Sequence, residues 1–123
     1  KIVNRAPSRL HTLKGQYRFF LGKYPKSILF FQVGRFFEFY DKQAEIVREV
    51  LGLKGTGSTR GFRARCGFPV SSKERYLRWF MEQGFTVRVI REGGVWLSGV
   101  KKRSIAERWT SISARFFKAM SLR

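Results

Sequence analysis

The sequence is poor in the residues from which catalytic and metal sites are usually built. It contains one cysteine, one histidine and eight acidic residues among 123 positions. A single cysteine excludes an internal disulfide, so we expect a reducing compartment such as the cytoplasm. A Cys/His zinc cluster has too few ligands, and no Ser-His-Asp or metal–carboxylate constellation stands out. We therefore predict that the protein is not an enzyme and uses no cofactor and no metal.

Long apolar runs and a nucleotide-binding loop are also missing. No apolar stretch approaches the ~20 residues that span a bilayer, and we expect neither a membrane span nor a secretory signal. The Gly-rich stretch KGTGSTRGFRAR, residues 54–65, is not a Walker loop, because no Gly-Lys-Ser/Thr follows its glycines. Two interpretations remain for it. It is either a phosphate-contacting loop that uses Arg60, Arg63 and Arg65, or a plain flexible loop.

Positive charge is the strongest feature that the sequence does have. Twenty-six Lys and Arg residues stand against eight Asp and Glu residues, which gives a formal charge of +18. Self-repulsion at this charge destabilises a compact chain unless a polyanion screens it. Nucleic acid is the usual polyanion, because each neutralised phosphate releases counterions. The composition therefore favours a nucleic-acid partner, and an anionic membrane surface is the main alternative.

The periodicity of apolar residues predicts a single α/β domain with a small mixed sheet flanked by helices. The predicted elements, in chain order, are a helix over 8–23, strands over 27–33 and 36–40, a helix from Asp41 to Gly52, a helix that begins at a Ser71–Glu74 capping box and stops at Gly84, a strand over 86–91, a turn over 92–94 and a strand over 95–98.

Three segments are predicted along the chain. Residues 1–8 form a basic arm, residues 9–100 form the nucleic-acid-binding domain, and residues 101–123 form a basic amphipathic tail that is helical from Ser104. The tail begins with a basic cluster expected to neutralise phosphates, and it carries aromatic residues expected to anchor a protein partner. The basic cluster is Lys101, Lys102 and Arg103, and the anchors are Trp109, Phe116 and Phe117.

Two long segments carry a family resemblance. They are QYRFFLGKYPKSILFFQVGRFFEFYDKQA, residues 16–44, and CGFPVSSKERYLRWFMEQGFTVRVIRE, residues 66–92. They resemble the N-terminal mismatch-recognition domain of the MutS family. The family shows a Tyr-Pro, a Phe-x-x-Gly-x-Phe-Tyr-Glu, a Gly-x-Pro and a Gln-Gly-x-x-Val in this order and at about these spacings.

The resemblance implies roles for two side chains. In the family, the Phe of Phe-x-Glu wedges into duplex DNA at a mispair, and the Glu hydrogen-bonds the base; by position these are Phe36 and Glu38. Two positions depart from the pattern, because Arg35 stands where Asp is usual and Phe37 replaces a Tyr. Arg35 favours general backbone binding over discrimination of a mispair. The alternatives are a core phenylalanine at Phe36 and a surface carboxylate at Glu38 that pairs with a nearby Arg.

The wider function is expected from analogy. The sequence carries no ATPase motif, so we expect a free-standing protein in which mismatch repair itself does not carry over. Small MutS-like proteins accompany reverse transcriptases of diversity-generating retroelements. We therefore predict an accessory protein that binds template RNA and a reverse transcriptase in a ribonucleoprotein. The alternatives are a free-standing binder of mismatched or distorted DNA and a structural protein of a large RNA assembly such as a ribosome.

Overall fold

The computed structural model describes residues 7–55 and 57–110, which form one five-stranded sheet with three α-helices. The predicted basic arm, residues 1–8, lies largely outside the described residues. The elements in chain order are a 3-10 turn Ser8–His11, α1 Leu13–Lys23, β1 Ser27–Val33, β2 Phe36–Tyr40, α2 Asp41–Leu51, β3 Arg65–Pro69, a 3-10 turn Val70–Ser72, α3 Lys73–Glu82, β4 Thr86–Leu97 and β5 Val100–Trp109.

The sheet has the strand order β3-β2-β1-β4-β5. The pair β1–β4 is parallel, and the pairs β1–β2, β2–β3 and β4–β5 are antiparallel. A parallel pair needs a crossover connection, which here contains β2, α2, β3 and α3. The predicted single α/β domain with a mixed sheet flanked by helices is confirmed.

The central strand β1 is buried on both faces, as its continuous apolar run SILFFQV predicts. Successive side chains point to opposite faces of a strand. Ile28 and Phe30 therefore pack with residues of α2 and α3. Leu29 and Phe31 pack with residues of α1 on the other face. Helices thus cover both faces of the sheet, and their apolar sides supply two separate clusters of the core.

Two helices begin later than the sequence indicated. α1 begins at Leu13, because the Thr12 hydroxyl accepts a hydrogen bond from the Gly15 amide (2.9 Å) and caps the helix. Residues 8–11 form a 3-10 turn instead of its first turn. The predicted capping box at residues 71–74 is not formed, since α3 follows a 3-10 turn and its N-cap Ser72 makes no side-chain capping bond.

The hairpin of β4 and β5 turns at a different place from the one predicted. The expected turn over residues 92–94 is wrong, because β4 continues to Leu97. The turn is made by Ser98 and Gly99, whose φ angles are 51° and 85°. Two consecutive positive φ values suit a two-residue hairpin turn, whose twist matches that of the strands. Gly93 and Gly94 lie instead at an irregularity of the ladder between Glu92 and Trp96.

The start of the predicted tail is an edge strand of the sheet. Residues 101–109, which the sequence assigned to the tail, lie in β5 and pair with β4. The helix predicted from Ser104 is therefore wrong for residues 104–109. The backbone N–H and C=O groups of β4 are available for strand pairing there, and the amphipathic pattern of the segment alone does not reveal this. Residues 111–123, with Phe116 and Phe117, lie outside the described residues.

The described part of the chain lacks a membrane-crossing helix and a metal-holding group of side chains. Within residues 7–55 and 57–110, no helix is long and apolar enough to cross a membrane. Across the same ranges, no group of three or more His, Cys, Asp and Glu residues is arranged to hold a metal ion.

Candidate nucleic-acid interface

Phe36 projects from a tight turn between β1 and β2. Val33 pairs with Phe36 across the two strands, so Gly34 and Arg35 form the turn, and Gly34 has the positive φ of 63° that a glycine adopts without strain. Most of the described phenylalanines are buried in the core, whereas Phe36 is 47% exposed. The alternative of a core phenylalanine therefore does not describe this position.

Hydrogen bonds fix this turn from two sides. The Gly34 amide donates to Glu92 Oε2 (2.8 Å) and the Val70 amide donates to the carbonyl of Arg35 (2.8 Å). Glu92 is itself held by the guanidinium of Arg103, whose Nη2 lies 3.0 Å from the same oxygen. The exposed ring of Phe36 is thus presented by a backbone that is tied to β4 and to Val70, the residue directly after β3.

Glu38 lies two residues further along β2 and is buried at the centre of an ion-pair cluster. Its Oε1 accepts hydrogen bonds from the Tyr40 hydroxyl and from Arg60 Nη1, the latter at 2.9 Å. Its Oε2 accepts one from Arg65 Nη1 at 2.8 Å. Glu38 does pair with arginines, but as a buried group and not as a surface carboxylate. Two cations therefore offset its charge within the folded domain.

Gly67 on β3 gives the backbone of β2 room beside Glu38. It pairs directly with Glu38 in the antiparallel ladder. A Cβ atom added to Gly67 would lie 2.6 Å from the carbonyl oxygen of Phe37, which is closer than van der Waals contact allows. The glycine of the Gly-x-Pro motif is therefore required by the close approach of two strands.

The Gly-rich segment is folded against the sheet where it carries Arg60. Thr59 and Phe62 exchange backbone hydrogen bonds (2.9 and 2.7 Å) around a turn made by Arg60 and Gly61. Phe62 is buried and stacks on Tyr40 at a centroid separation of 3.8 Å. A plain flexible loop is thus a wrong description of residues 59–62, because the buried ring anchors the turn that places Arg60 against Glu38.

Burial sets the protonation of two groups near the cluster. It raises the pKa of the Tyr40 hydroxyl, and the hydrogen bond to Glu38 raises that pKa further. The phenol therefore remains a donor to the carboxylate. Burial also raises the pKa of Cys66 to about 11, although Arg48 and Arg65 oppose this shift. At neutral pH the Cys66 side chain is an unreactive thiol.

The predicted phosphate-contacting residues are distributed unevenly. Arg35, Arg60 and Arg63 are exposed and Arg65 is partly exposed, but Arg60 and Arg65 are both engaged with Glu38. Lys101 is partly exposed and Lys102 is exposed. Their predicted contacts with nucleic acid remain predictions.

Arg103 is placed differently from the expectation that it neutralises phosphate. It is buried, and its guanidinium bonds to Glu92, to the carbonyl oxygen of Gln32 (2.6 Å) and to that of Lys101 (3.0 Å). Burial lowers its pKa, and Glu92 opposes that shift. Since Arg103 points inward from β5, the expected basic cluster presents two cations to solvent instead of three.

Two tryptophans end on the surface with different surroundings. Trp109, the predicted partner anchor, is exposed at the end of β5 and donates its indole N–H to Glu107 Oε1 (2.7 Å). Trp96, to which the sequence assigned no role, is 60% exposed on β4. No local pattern in the sequence distinguishes Trp96 from a core tryptophan, and its exposure follows from the path of β4 at the edge of the domain.

The fold and this surface define a strongly basic α/β domain that presents one aromatic ring on a fixed turn beside a neutralised carboxylate. A sequence profile described as MutS domain I matches residues 11–111. The chain therefore belongs to the MutS domain I family.

Individual relatives agree with the profile. The chain is 34% identical over 98 residues to a DNA mismatch repair protein MutS of Cytophaga hutchinsonii, covering 75% of this chain and 11% of that protein. It is 31% identical over 88 residues to the protein of the same description from Halothermothrix orenii, covering 69% of this chain and 10% of that protein. The chain thus spans about a tenth of the length of these curated relatives.

Proposed function

We propose that this domain binds duplex DNA without catalysis and prefers sites where base stacking is already weak, such as a mispair or an unpaired base. The observation that carries the proposal is the exposure of Phe36 on a turn that hydrogen bonds hold in place. An inserted ring exchanges lost base stacking for stacking on the protein, and the exchange costs least at a weakened step. Membership of the MutS domain I family supports DNA as the ligand.

The charge distribution around Phe36 supports approach to a phosphate backbone. Arg35 precedes the ring directly, and Lys54 and Arg65 line one shallow pocket together with Phe36 and Glu38. Glu38 would repel phosphates if it were unpaired, but Arg60 and Arg65 offset its charge. The wedge therefore lies in a region of net positive charge, where counterion release favours binding.

Direct reading of a base by Glu38 is less accessible than the family resemblance implies. An ionised carboxylate offers about four acceptor positions, and the hydrogen bonds from Tyr40, Arg60 and Arg65 occupy three. A base donor at Glu38 would have to use the remaining position or displace an arginine. Stacking on Phe36 is therefore the main contribution that we propose, and we expect little discrimination among different mispairs.

The accessory role with template RNA and a reverse transcriptase remains a prediction. The two relatives named above are DNA mismatch repair proteins. We therefore place distorted DNA ahead of RNA, and RNA becomes one arm of the test. A reducing compartment, as expected from the single cysteine, is compatible with either ligand.

Titration by fluorescence anisotropy tests the proposal. The ligands are a matched duplex, the same duplex with one unpaired base, and an RNA of equal length. Wild type should prefer the duplex with the unpaired base. Phe36→Ala should remove that preference, because binding of the duplex with the unpaired base should weaken roughly 5- to 150-fold. This factor is the equivalent of ~1–3 kcal/mol of base stacking.

Val50→Ala is the matched control, because Val50 is an exposed apolar residue on α2. It should leave both affinities unchanged. Equal affinity of the wild type for the two duplexes, or an unchanged preference in Phe36→Ala, would contradict the wedge. Tighter binding of RNA than of either duplex would favour the accessory role instead.

A further inference from the structure

A second aromatic surface lies on the hairpin of β4 and β5. Trp96 is 60% exposed and pairs with Lys101 on the neighbouring strand. The Lys101 ammonium lies 5.3 Å from the centroid of the indole ring. An exposed indole with a cation over one side of the ring suits a nucleotide, because a base can stack on the open side while the ammonium attracts the phosphate.

An irregularity in the ladder produces this pairing. Glu92 pairs with Arg103, and the next pair is Trp96 with Lys101. Residues 93–95 on β4 therefore stand opposite a single residue on β5. In a regular ladder Gly94 would face Lys101, so the two extra residues bring the indole into register with the cation.

Contacts with α1 and with the turn before it hold the hairpin in place. The tip of the hairpin is tied by a hydrogen bond between His11 Nδ1 and Ser98 Oγ (2.8 Å). Near the base of the turn, Gln16 Nε2 donates to the carbonyl of Lys101 (3.1 Å). These two contacts reach across more than eighty residues of sequence, and they fix the position of Trp96 relative to α1.

Trp96 forms one wall of an open cleft of about 590 Å³, a volume typical of sites for small ligands. The start of α1 forms another wall, and Gly34 of the turn that carries Phe36 also lines the cleft. The cleft is therefore next to the proposed wedge. Four of its five charged lining residues are basic, namely Lys14, Arg60, Lys101 and Arg103. The fifth is Glu92.

We propose that this cleft binds one unpaired nucleotide, with its base stacked on Trp96 and its phosphate near Lys101. The choice of nucleic acid as ligand rests on the proposed function, but the site does not include Phe36. A base displaced from the stack where Phe36 enters would find this cleft beside it. An acidic peptide would match the charge of the cleft, yet it would leave the indole face without a flat partner.

Tryptophan fluorescence tests the stacking directly. The double variant Trp79→Phe/Trp109→Phe retains Trp96 as its single tryptophan. An oligothymidylate and an oligouridylate of about eight nucleotides, within the range that single-strand sites cover, are the probes. We expect saturable quenching that weakens with salt. Quenching by either probe or by both supports the site, and the comparison shows whether the cleft prefers DNA or RNA.

Affinity measurements on otherwise unchanged chains make the test independent of the double variant's folding. Trp96→Ala should weaken binding of the oligonucleotide about tenfold, whereas Trp96→Phe should retain most of it, since both aromatic rings stack. Lys101→Ala should reduce the slope of log affinity against log salt by about 0.7, the value for one phosphate of a single strand. Val95→Ala is the control, because Val95 is the exposed neighbour of Trp96 on the same strand.

Phe36→Ala separates this proposal from the wedge. The variant should lose its preference for the duplex with an unpaired base and still show full quenching of Trp96 by the single strand. Absence of quenching, together with unchanged oligonucleotide affinity in Trp96→Ala, would overturn the proposed cleft while leaving the wedge in place. Quenching in a protein without any duplex preference would support the cleft and contradict the wedge.

Discussion

Glu38→Gln removes the negative charge from the cluster that holds two arginines beside Phe36. The amide keeps the size of the carboxylate and can still accept a hydrogen bond from Tyr40. Arg60 and Arg65 lose their anionic partner, although both remain in the folded domain. The substitution therefore changes the stability of the domain and its electrostatic potential at the same position, and each effect can be measured separately.

The expected loss of stability follows from burial and exposure. Removing one partner of a fully buried ion pair destabilises a protein by about 3–5 kcal/mol. Here the side chain of Glu38 is 5% exposed, but those of Arg60 and Arg65 are 46% and 31% exposed, so water screens the arginines. We therefore expect the free energy of unfolding to fall by about 1–3 kcal/mol, measured by urea denaturation.

The expected change in binding has the opposite sign. The Arg60 guanidinium, released from Glu38, becomes available to phosphates. If it contacts one phosphate, the slope of log affinity against log salt steepens by about 0.9, and binding of matched duplex at low salt becomes tighter. The ratio of the affinities for the two duplexes should stay unchanged, because the added contacts depend neither on sequence nor on base pairing.

Glu49→Gln is the matched control. Glu49 is exposed on α2, and its replacement changes the formal charge of the chain by the same amount. It should alter stability by less than about 0.5 kcal/mol and leave the salt slope unchanged. If Glu38→Gln matches the wild type in both stability and salt slope, the inference that this carboxylate restrains the two arginines is refuted.

Two further predictions concern stability alone. Gly67→Ala should destabilise the domain by about 1–3 kcal/mol in urea denaturation, because the new Cβ would lie 2.6 Å from the Phe37 carbonyl oxygen. Gly22→Ala is the control, because no atom lies within 4 Å of the added Cβ, and it should be neutral or stabilise α1 by up to about 1 kcal/mol. Equal losses of unfolding free energy in the two variants would contradict the steric explanation. Against the opposing effect of burial, hydrogen bonds from Lys73 and Trp109 lower the pKa of Glu107 from its ordinary 4.5. A carboxyl group whose pKa is lowered by folding stabilises the folded state at pH values above its ordinary pKa. The contribution of Glu107 should therefore disappear as pH falls below about 4.5, and Glu107→Gln should flatten that part of the stability–pH curve.

The sequence by itself determined the class of fold and the elements of the first half of the chain, from α1 to α2. The apolar run of β1 identified a strand buried on both faces, and Gly52 ends α2 with a positive φ of 68° as expected. The sequence also predicted a strand at FFEFY, and in β2 the side chains of Phe36, Glu38 and Tyr40 share one face by alternation. These inferences succeeded because they depend on periodicity and on backbone preferences that neighbouring residues impose on one another.

Alternation did not reveal which members of that face are exposed. Phe36 lies at the start of β2, beside the turn, whereas Tyr40 is covered by α1 and by Phe62 from the Gly-rich segment. The difference arises from where other elements pack on the sheet. No property of the five-residue strand encodes that arrangement.

Tertiary structure alone decided the electrostatics of the site and the extent of the sheet. Arg60 reaches Glu38 across 22 residues of sequence, and Arg103 bonds to Glu92 inside the domain. Residues 104–109 have a pattern that also suits an amphipathic helix, but the free edge of β4 offers them a ladder of backbone hydrogen bonds. Local sequence sets the conformations that a segment favours, and contacts with distant residues select among them. The selection occurs because buried polar groups and strand edges need hydrogen-bond partners, and the tertiary structure decides which partners lie next to them.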